Sequence, residues 1–378
     1  MRTWDEDQLA LREGMERWCR DLAVTEHDAA GTSFSWDAWK LVRSSGILGL
    51  PFDPAWGGAG VDLLTTMFVL EALGEGCRDG GLSFSVATSI CSTGVPLQHF
   101  GTAEQKDRYL PQVCSGELIG AHAISEPDTG SDALSMRTMA VRDGDHFVLN
   151  GSKSFVSNGP IADVVVVYAR TRPEGGALGI TAFLVETDTP GFSAGQPLKK
   201  MGLASSPMSE LYFDDCRVPA NRAIGGVGRG FMLLEHVMKW EILCSFIINV
   251  GEMQHRFERC LEYARTRTQF GKPIGSFQAI SHKLVDMRIR LETARRWLYD
   301  TAERLAAGEN VTMDVAISKL LTSEANVASG LAAIQIFGGN GYMSEYGLDR
   351  ELANAVGSTI YSGTTEIQYN RISSMLGL

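Results

Sequence analysis

The chain reads as three consecutive parts: an α-helical N-terminal domain over residues 1–118, a central β domain over 119–225, and a C-terminal helical bundle over 226–378. Two patterns predict this. Near both ends, apolar residues recur at three- and four-residue spacing. Between them lie short runs of β-branched and aromatic residues bounded by Gly, Pro and Asp. No helical stretch separates those runs, which excludes a βαβ nucleotide fold.

Each element has its own signals. Thr3-Trp4-Asp5-Glu6 fits a capping box ahead of Leu9, Leu11, Met15 and Trp18. A second helix carries Trp36, Trp39 and Val42 and stops near Gly46. A third carries Leu64, Met67, Phe68, Leu70 and Leu73 and stops at Gly74. The Gly/Pro-rich stretch 49–60 is loop. In the β domain, Phe147–Leu149 and Ser152–Val156 flank Asn150-Gly151, a hairpin signal. Further strands fall at Val164–Tyr168, Ile180–Val185 and Leu211–Phe213. From Phe231 the pattern is helical again. Leu284, Met287, Leu291, Ala294 and Leu298 form one stripe, closed by Gly308. Ala316, Leu320, Val327, Leu331 and Ile334 continue in the next helix, which ends at Phe337-Gly338. Long amphipathic helices with short loops predict an up-and-down bundle.

Composition narrows the function classes. The 378 residues are 44% hydrophobic and 21% charged, an ordinary globular balance. A net charge of −11 makes nucleic acid and anionic membranes poor partners. No run of 18 apolar residues predicts a membrane span. The acidic, polar N-terminus lacks a signal-peptide core, and the seven cysteines are scattered without a Cys-x-x-Cys pair. Reduced core thiols in a cytoplasmic protein are expected, with neither disulfides nor a metal site.

Several motifs carry candidate chemistry. Gly226-Val227-Gly228-Arg229-Gly230 resembles a phosphate loop, but no parallel strand follows, so a strand-to-helix connector is expected. The turn Ser125–Asp132 exposes backbone N–H groups that suit an anionic or polar cofactor edge; a plain surface turn fits equally. Glu241 falls on a mostly apolar helical stripe, with Val237, Met238, Cys244 and Ser245 three and four residues away. Burial raises a carboxyl pKa toward neutrality, as a general base requires. The alternative for Glu241 is a structural ion pair with an Arg on a neighbouring helix. Arg267, just past a helix end, could meet phosphate or solvent. Zinc-hydrolase, acyl-serine and P-loop signatures are absent.

Taken together and in order, these segments resemble the acyl-CoA dehydrogenases over essentially the whole chain. The matching pieces are the 49–60 loop, Phe100–Lys106, the 125–132 turn, Asn150–Lys153, Arg265–Gly271, Gln278–Ile280, Gln335–Tyr342 and Tyr361–Gln368. The resemblance implies the acyl-CoA dehydrogenase fold, with a four-helix bundle at the C-terminus. It implies FAD shared with a neighbouring subunit of a homo-oligomer, a dimer of dimers. By position, Ile124, Ser125 and Ser131 line one flavin edge, and Phe155 and Ser157 back the isoalloxazine. Thr364 and Glu366 approach the phosphate and ribityl region. Arg267, Phe270, Gln278, Gln335 and Gly339 reach the partner's FAD, with Arg267 on its pyrophosphate. Ser131, Met238 and Tyr361 border the substrate.

The implied reaction takes the α-proton of an acyl thioester to a glutamate and the β-hydride to flavin N5, with the thioester oxygen in an oxyanion hole. Most members carry the base in a Glu-Gly-Thr triplet. This chain has Ser362-Gly363-Thr364. A serine hydroxyl is too weak a base for a carbon-bound proton, although its main-chain N–H still serves the oxyanion. Isovaleryl-type members keep the glutamate on the helix, where Glu241 falls. Two further departures are Ile242, where Arg is common, and Ala353-Asn354, where Arg-Asp is common.

Gly120-Ala121-His122, Met238–Glu241 and Ser206–Leu211 look most like members acting on carrier-protein thioesters in natural-product pathways, such as prolyl-carrier-protein dehydrogenases. The substrate expectation is therefore an acyl-CoA or acyl-carrier-protein thioester, with an electron-accepting flavoprotein or oxygen as the second partner. Competing readings are a short- or branched-chain acyl-CoA dehydrogenase, a flavin monooxygenase or oxidase, and a non-catalytic scaffold.

Overall fold

The structure, a computed structural model, describes residues 3–24 and 33–378. The first six helices are α1 (Glu6–Val24), α2 (Trp36–Ser45), α3 (Leu63–Gly76), α4 (Gly80–Ser89), α5 (Val95–Phe100) and α6 (Ala103–Ser115). The capping box of α1 sits two residues later than the spacing suggested. Asp5 Oδ1 accepts from Gln8 N (2.8 Å), and Gln8 Oε1 accepts from Asp5 N (3.1 Å). Helix α2 ends as expected, with Gly46 left-handed at φ 73°. Helix α3 does not stop at Gly74. It runs on to Gly76, because Gly74 serves close packing: a Cβ there would lie 2.1 Å from Ile248 O.

The β domain contains β1 (Gly120–Ala123), β2 (Met139–Asp143), β3 (His146–Ser157), β4 (Val164–Arg170), β5 (Ile180–Glu186), β6 (Phe192–Ala194), β7 (Met208–Pro219) and β8 (Ala223–Ile224). Their order is β6-β7-β3-β2-β4-β5-β8, with β1 parallel to β4. The Asn150-Gly151 hairpin is not formed. Strand β3 runs straight through it, and the turn lies at Gly144-Asp145, where Asp143 pairs His146. Asn150 instead marks a bulge against β7. Its amide exchanges two hydrogen bonds with Asp215, and Gly151 takes φ 146° beside Thr138. Strand alternation splits the sheet's two faces. Val164, Val166 and Tyr168 join the helical core, while Val165, Val167 and Phe183 build a second core within the β domain.

The remaining elements are α7 (Gly230–Thr266), the short pair β9 (Thr268–Gln269) and β10 (Lys272–Pro273), α8 (Gln278–Ala306), α9 (Thr312–Phe337), α10 (Leu348–Gly357) and α11 (Thr365–Met375). The Gly226–Gly230 segment is a connector into α7, tied down by Gly228 N donating to Thr181 Oγ1 (2.9 Å). At 37 residues, α7 is about 55 Å long. Helix α8 buries the expected stripe from Leu284 to Leu298. Helix α9 departs from expectation. Ala316 and Leu320 are buried as expected, but Leu331 is 52% exposed, and much of the buried face between them is small or polar. One polar member of that face, Asn326, accepts through O (3.2 Å) and Oδ1 (3.0 Å) from the buried guanidinium of Arg256. All seven cysteines are buried and free. Among the described residues, no helix is long and apolar enough to cross a membrane.

Candidate active site

Glu241 sits near the middle of α7, where Val237, Cys244 and Ser245 are buried around it. Its side chain is 13% exposed, and its partners are not those of a structural ion pair with Arg. Ser362 Oγ donates to Oε1 at 2.5 Å, and His122 Nε2 lies 3.3 Å from Oε2. Three separate elements thus meet at one carboxylate: α7, β1 and the turn before α11. Behind it the wall is closed. Tyr168 on β4 is fully buried, and burial, then the nearby Glu241 charge, push its phenol pKa up. A π-helical turn, Ile90–Gly94, adds buried Cys91, whose thiol pKa is pushed up by Cys244 and by burial. Such π turns recur at functional sites.

The turn carrying Ser362 has an unusual backbone. Ser362 takes φ 56° and Gly363 φ 89°. A positive φ is costly for a serine and persists only when the surroundings enforce it. Here the enforcement comes from buried Gln368, whose Nε2 donates to the carbonyls of Ser362 (3.0 Å) and Gly363 (3.3 Å). Lys319, buried on α9, donates to Thr359 O (3.0 Å) at the start of the same turn. Among the described residues, the N–H groups of Ser362, Gly363 and Thr364 have no backbone hydrogen-bond acceptor. Tyr361 packs between Phe84 and Phe246 at centroid distances of 4.8 and 5.4 Å, and Met238 stands one turn from Glu241.

A second group of expected residues follows directly from β1. Ser154 N donates to Ser125 O (2.8 Å), which sets Ile124 and Ser125 beside Phe155 and Ser157. Phe155 is left-handed (φ 57°) and 66% exposed, so its ring is open to solvent in the single chain. The 125–132 turn is not a loose surface turn. Glu126 accepts from Arg137 N, Thr138 N and Lys153 Nζ at 2.6, 2.9 and 2.8 Å, and Lys153 also donates to Ile124 O. Burial raises the Glu126 carboxyl, but Lys153 and these donors outweigh it and hold it below the usual range. Ser131 lies exposed on the outer side of the turn. Thr364 caps α11 by accepting from Ile367 N, and Glu366 is exposed in its first turn.

The remaining expected residues are elsewhere. Arg267 follows α7 and lies about 39 Å along its axis from Glu241. Phe270 is 92% exposed at φ 52°, and Gln278, Gln335 and Gly339 are exposed near it. Stacking of Tyr263 on Phe337 (4.0 Å) holds the ends of α7 and α9 together there. One chain therefore presents the expected residues in two separate groups. The Ser362 hydroxyl contact, Gln368 and the His122 contact escaped sequence reasoning. His122 stood only inside a matching segment, and a hydroxyl in place of a carboxylate signals nothing by itself.

A carboxylate on α7 is thus held where the β domain meets the helical bundle. The chain belongs to the acyl-CoA dehydrogenase family: it matches the N-terminal domain over residues 5–117, the middle domain over 121–216 and the C-terminal domain over 228–377. Among its relatives is the L-prolyl peptidyl-carrier-protein dehydrogenase of a Serratia species, 43% identical over 344 residues, which are 91% of this chain and 89% of that protein. The solved prolyl acyl carrier protein oxidase AnaB superposes with a TM-score of 0.97 at 38% identity, covering 100% of both chains. PigA, solved with FAD and proline, gives 0.96 at 40%, covering 100% of this chain and 99% of its own.

Proposed function

We propose that this chain is an FAD-dependent dehydrogenase that oxidises the Cα–Cβ bond of an aminoacyl thioester, with a prolyl group on a carrier protein as the favoured substrate. The observation that carries this reading is the Glu241–Ser362 contact. The one carboxylate at the centre is on α7, and a hydroxyl occupies the position where most family members carry theirs. Glu241 takes the α-proton. The N–H of Ser362 receives the thioester oxygen as charge develops there. Bound FAD supplies the hydride acceptor. The shelf of Ile124, Ser125, Phe155 and Ser157 suits its flat ring, since it joins an exposed aromatic to main-chain groups already fixed by Lys153 and Glu126. Thr364 and Glu366 serve its ribityl and phosphate end, Ser131, Met238 and Tyr361 border the acyl group, and the Arg267 group serves the cofactor of a neighbouring subunit.

The favoured substrate rests on the prolyl-carrier-protein relatives; isovaleryl-type enzymes, which share the position of Glu241, support a branched acyl-CoA as the second reading. Anaerobic titration separates them. Prolyl-carrier protein should bleach the flavin absorbance, and isovaleryl-CoA should not. Glu241→Gln should keep its flavin and lose bleaching by roughly 10²- to 10⁴-fold. A Glu241→Gln protein that still bleaches at the normal rate removes the assignment. Reoxidation by oxygen, against reoxidation only by an electron-carrying flavoprotein, decides between oxidase and dehydrogenase.

A further inference from the structure

We infer that Gln368 is a positioning residue for both working groups of Ser362: by clamping the turn it holds the main-chain N–H in the oxyanion place and the hydroxyl on Glu241 at the same time. This rests on the proposed roles of Glu241 and of the Ser362 N–H. Gln368 stands in the first turn of α11, fully buried, and its Nε2 donates back to Ser362 O (3.0 Å) and Gly363 O (3.3 Å). Both amide hydrogens are used, and both acceptors are carbonyl oxygens, so only the amide nitrogen can face the turn. The other atom, Oε1, is buried and has no protein partner. A buried acceptor left unmade is costly, and the orientation that grips the turn is kept in spite of that cost. Gly363 permits the approach, since a Cβ there would lie 2.7 Å from Gln368 Nε2.

The clamp matters because Ser362 is held on three sides. Before it, Tyr361 N donates to Gly357 O (3.1 Å), and the Tyr361 ring is packed between Phe84 and Phe246. On its side chain, Oγ donates to Glu241 Oε1 (2.5 Å). After it, Gln368 holds its carbonyl. Together these restraints keep a φ of 56°, which is costly for a serine. Rotation about φ changes the angle between the N–H and the Cα–Cβ bond. A Ser362 relaxed to negative φ therefore cannot keep its hydroxyl on Glu241 with its N–H in the same place. Without the Gln368 donor the carbonyl side comes free, and Gly363 beyond it offers no resistance. One buried amide thus couples the alignment of the base to that of the oxyanion donor.

Gln368→Met keeps a similar length and removes the donor. Gln368→Glu keeps the shape and sets a carboxylate oxygen against the two carbonyls. In anaerobic stopped-flow measurements on the FAD-loaded proteins with prolyl-carrier protein, Gln368→Met should slow flavin reduction at saturating substrate by about a hundredfold, with the half-saturating concentration unchanged. Gln368→Glu should be slowed at least as much. A native rate in either variant overturns the inference. A general loosening of the fold would cost the same factor in any background. The same Gln368→Met change made in Ser362→Ala should instead cost only about tenfold, because the hydroxyl grip is already gone. An equal factor in both backgrounds also overturns the inference. A second arm does not depend on turnover. In crystals of the FAD-loaded proteins, Ser362 should keep φ near 56° in the native chain and leave the positive region in Gln368→Met. A positive φ retained without the donor overturns the clamp. If no thioester bleaches the native flavin, the functional reading fails, while this second arm still decides whether Gln368 holds the turn.

Discussion

At Ser362 the backbone and the side chain have separate tasks. The backbone, at φ 56°, leaves its N–H without a backbone acceptor among the described residues, open to the proposed oxyanion role. The hydroxyl donates to Glu241 Oε1 (2.5 Å). Ser362→Ala should therefore leave the main-chain donor intact and remove only the grip on the base. The expected result is flavin reduction slowed roughly tenfold, equivalent to about 1.4 kcal/mol, with FAD still bound. An unchanged reduction rate would limit Ser362 to its backbone role. At this scale the burial of the proposed base was legible. The apolar residues around Glu241 give its burial, and the Ser362-Gly363-Thr364 triplet denies the usual alternative. The base's partners were not legible. Ser362 and His122 lie 121 and 119 positions from Glu241, and no local pattern encodes contacts between such distant residues.

Elements show where local signals mislead. Asn150-Gly151 has the composition of a tight turn, yet β3 continues through it, because pairing with β7 uses the same backbone freedom for a bulge. Three residues on, Lys153 does the opposite. Its side chain is wholly buried, and it ties β3 to the turn after β1 through Glu126 and Ile124 O. This pair is the reason that Ser125 and Phe155 form one shelf. Lys153→Met would leave Glu126 buried without its cation, a loss of about 3–5 kcal/mol. Urea unfolding should register that loss. The FAD dissociation rate should rise, since the turn bearing Ile124 and Ser125 would no longer be pinned. Lys153→Met/Glu126→Gln should recover part of the stability, as removing both charges is far less costly than stranding one. Equal instability in the single and double variants would show that the side chain's packing, not its charge, holds the shelf.

The whole molecule is organised by the length of α7. Glu241 and Arg267 occupy the same helix about 39 Å apart along its axis, so no rearrangement of loops can bring both to one cofactor. The exposed Phe270, Gln278 and Gln335 lie at the Arg267 end, beyond reach of the Ser125–Phe155 shelf in the same chain. In the proposed oligomer, two copies related by a two-fold axis meet the requirement, each lending its Arg267 end to the other's shelf. A mixed oligomer tests this directly. Glu241→Gln lacks the base but keeps Arg267; Arg267→Glu keeps the base but repels the pyrophosphate. Alone, each should be nearly inactive. A mixed dimer contains one complete site, built from the native Glu241 of one chain and the native Arg267 of the other. Random pairing of equal amounts makes half of the dimers mixed, with one of two sites complete, so activity should return to about a quarter of the native value. Activity no greater than the sum of the separate variants would mean that Arg267 does not serve a neighbouring site, and the half-site at the end of α7 would need another ligand.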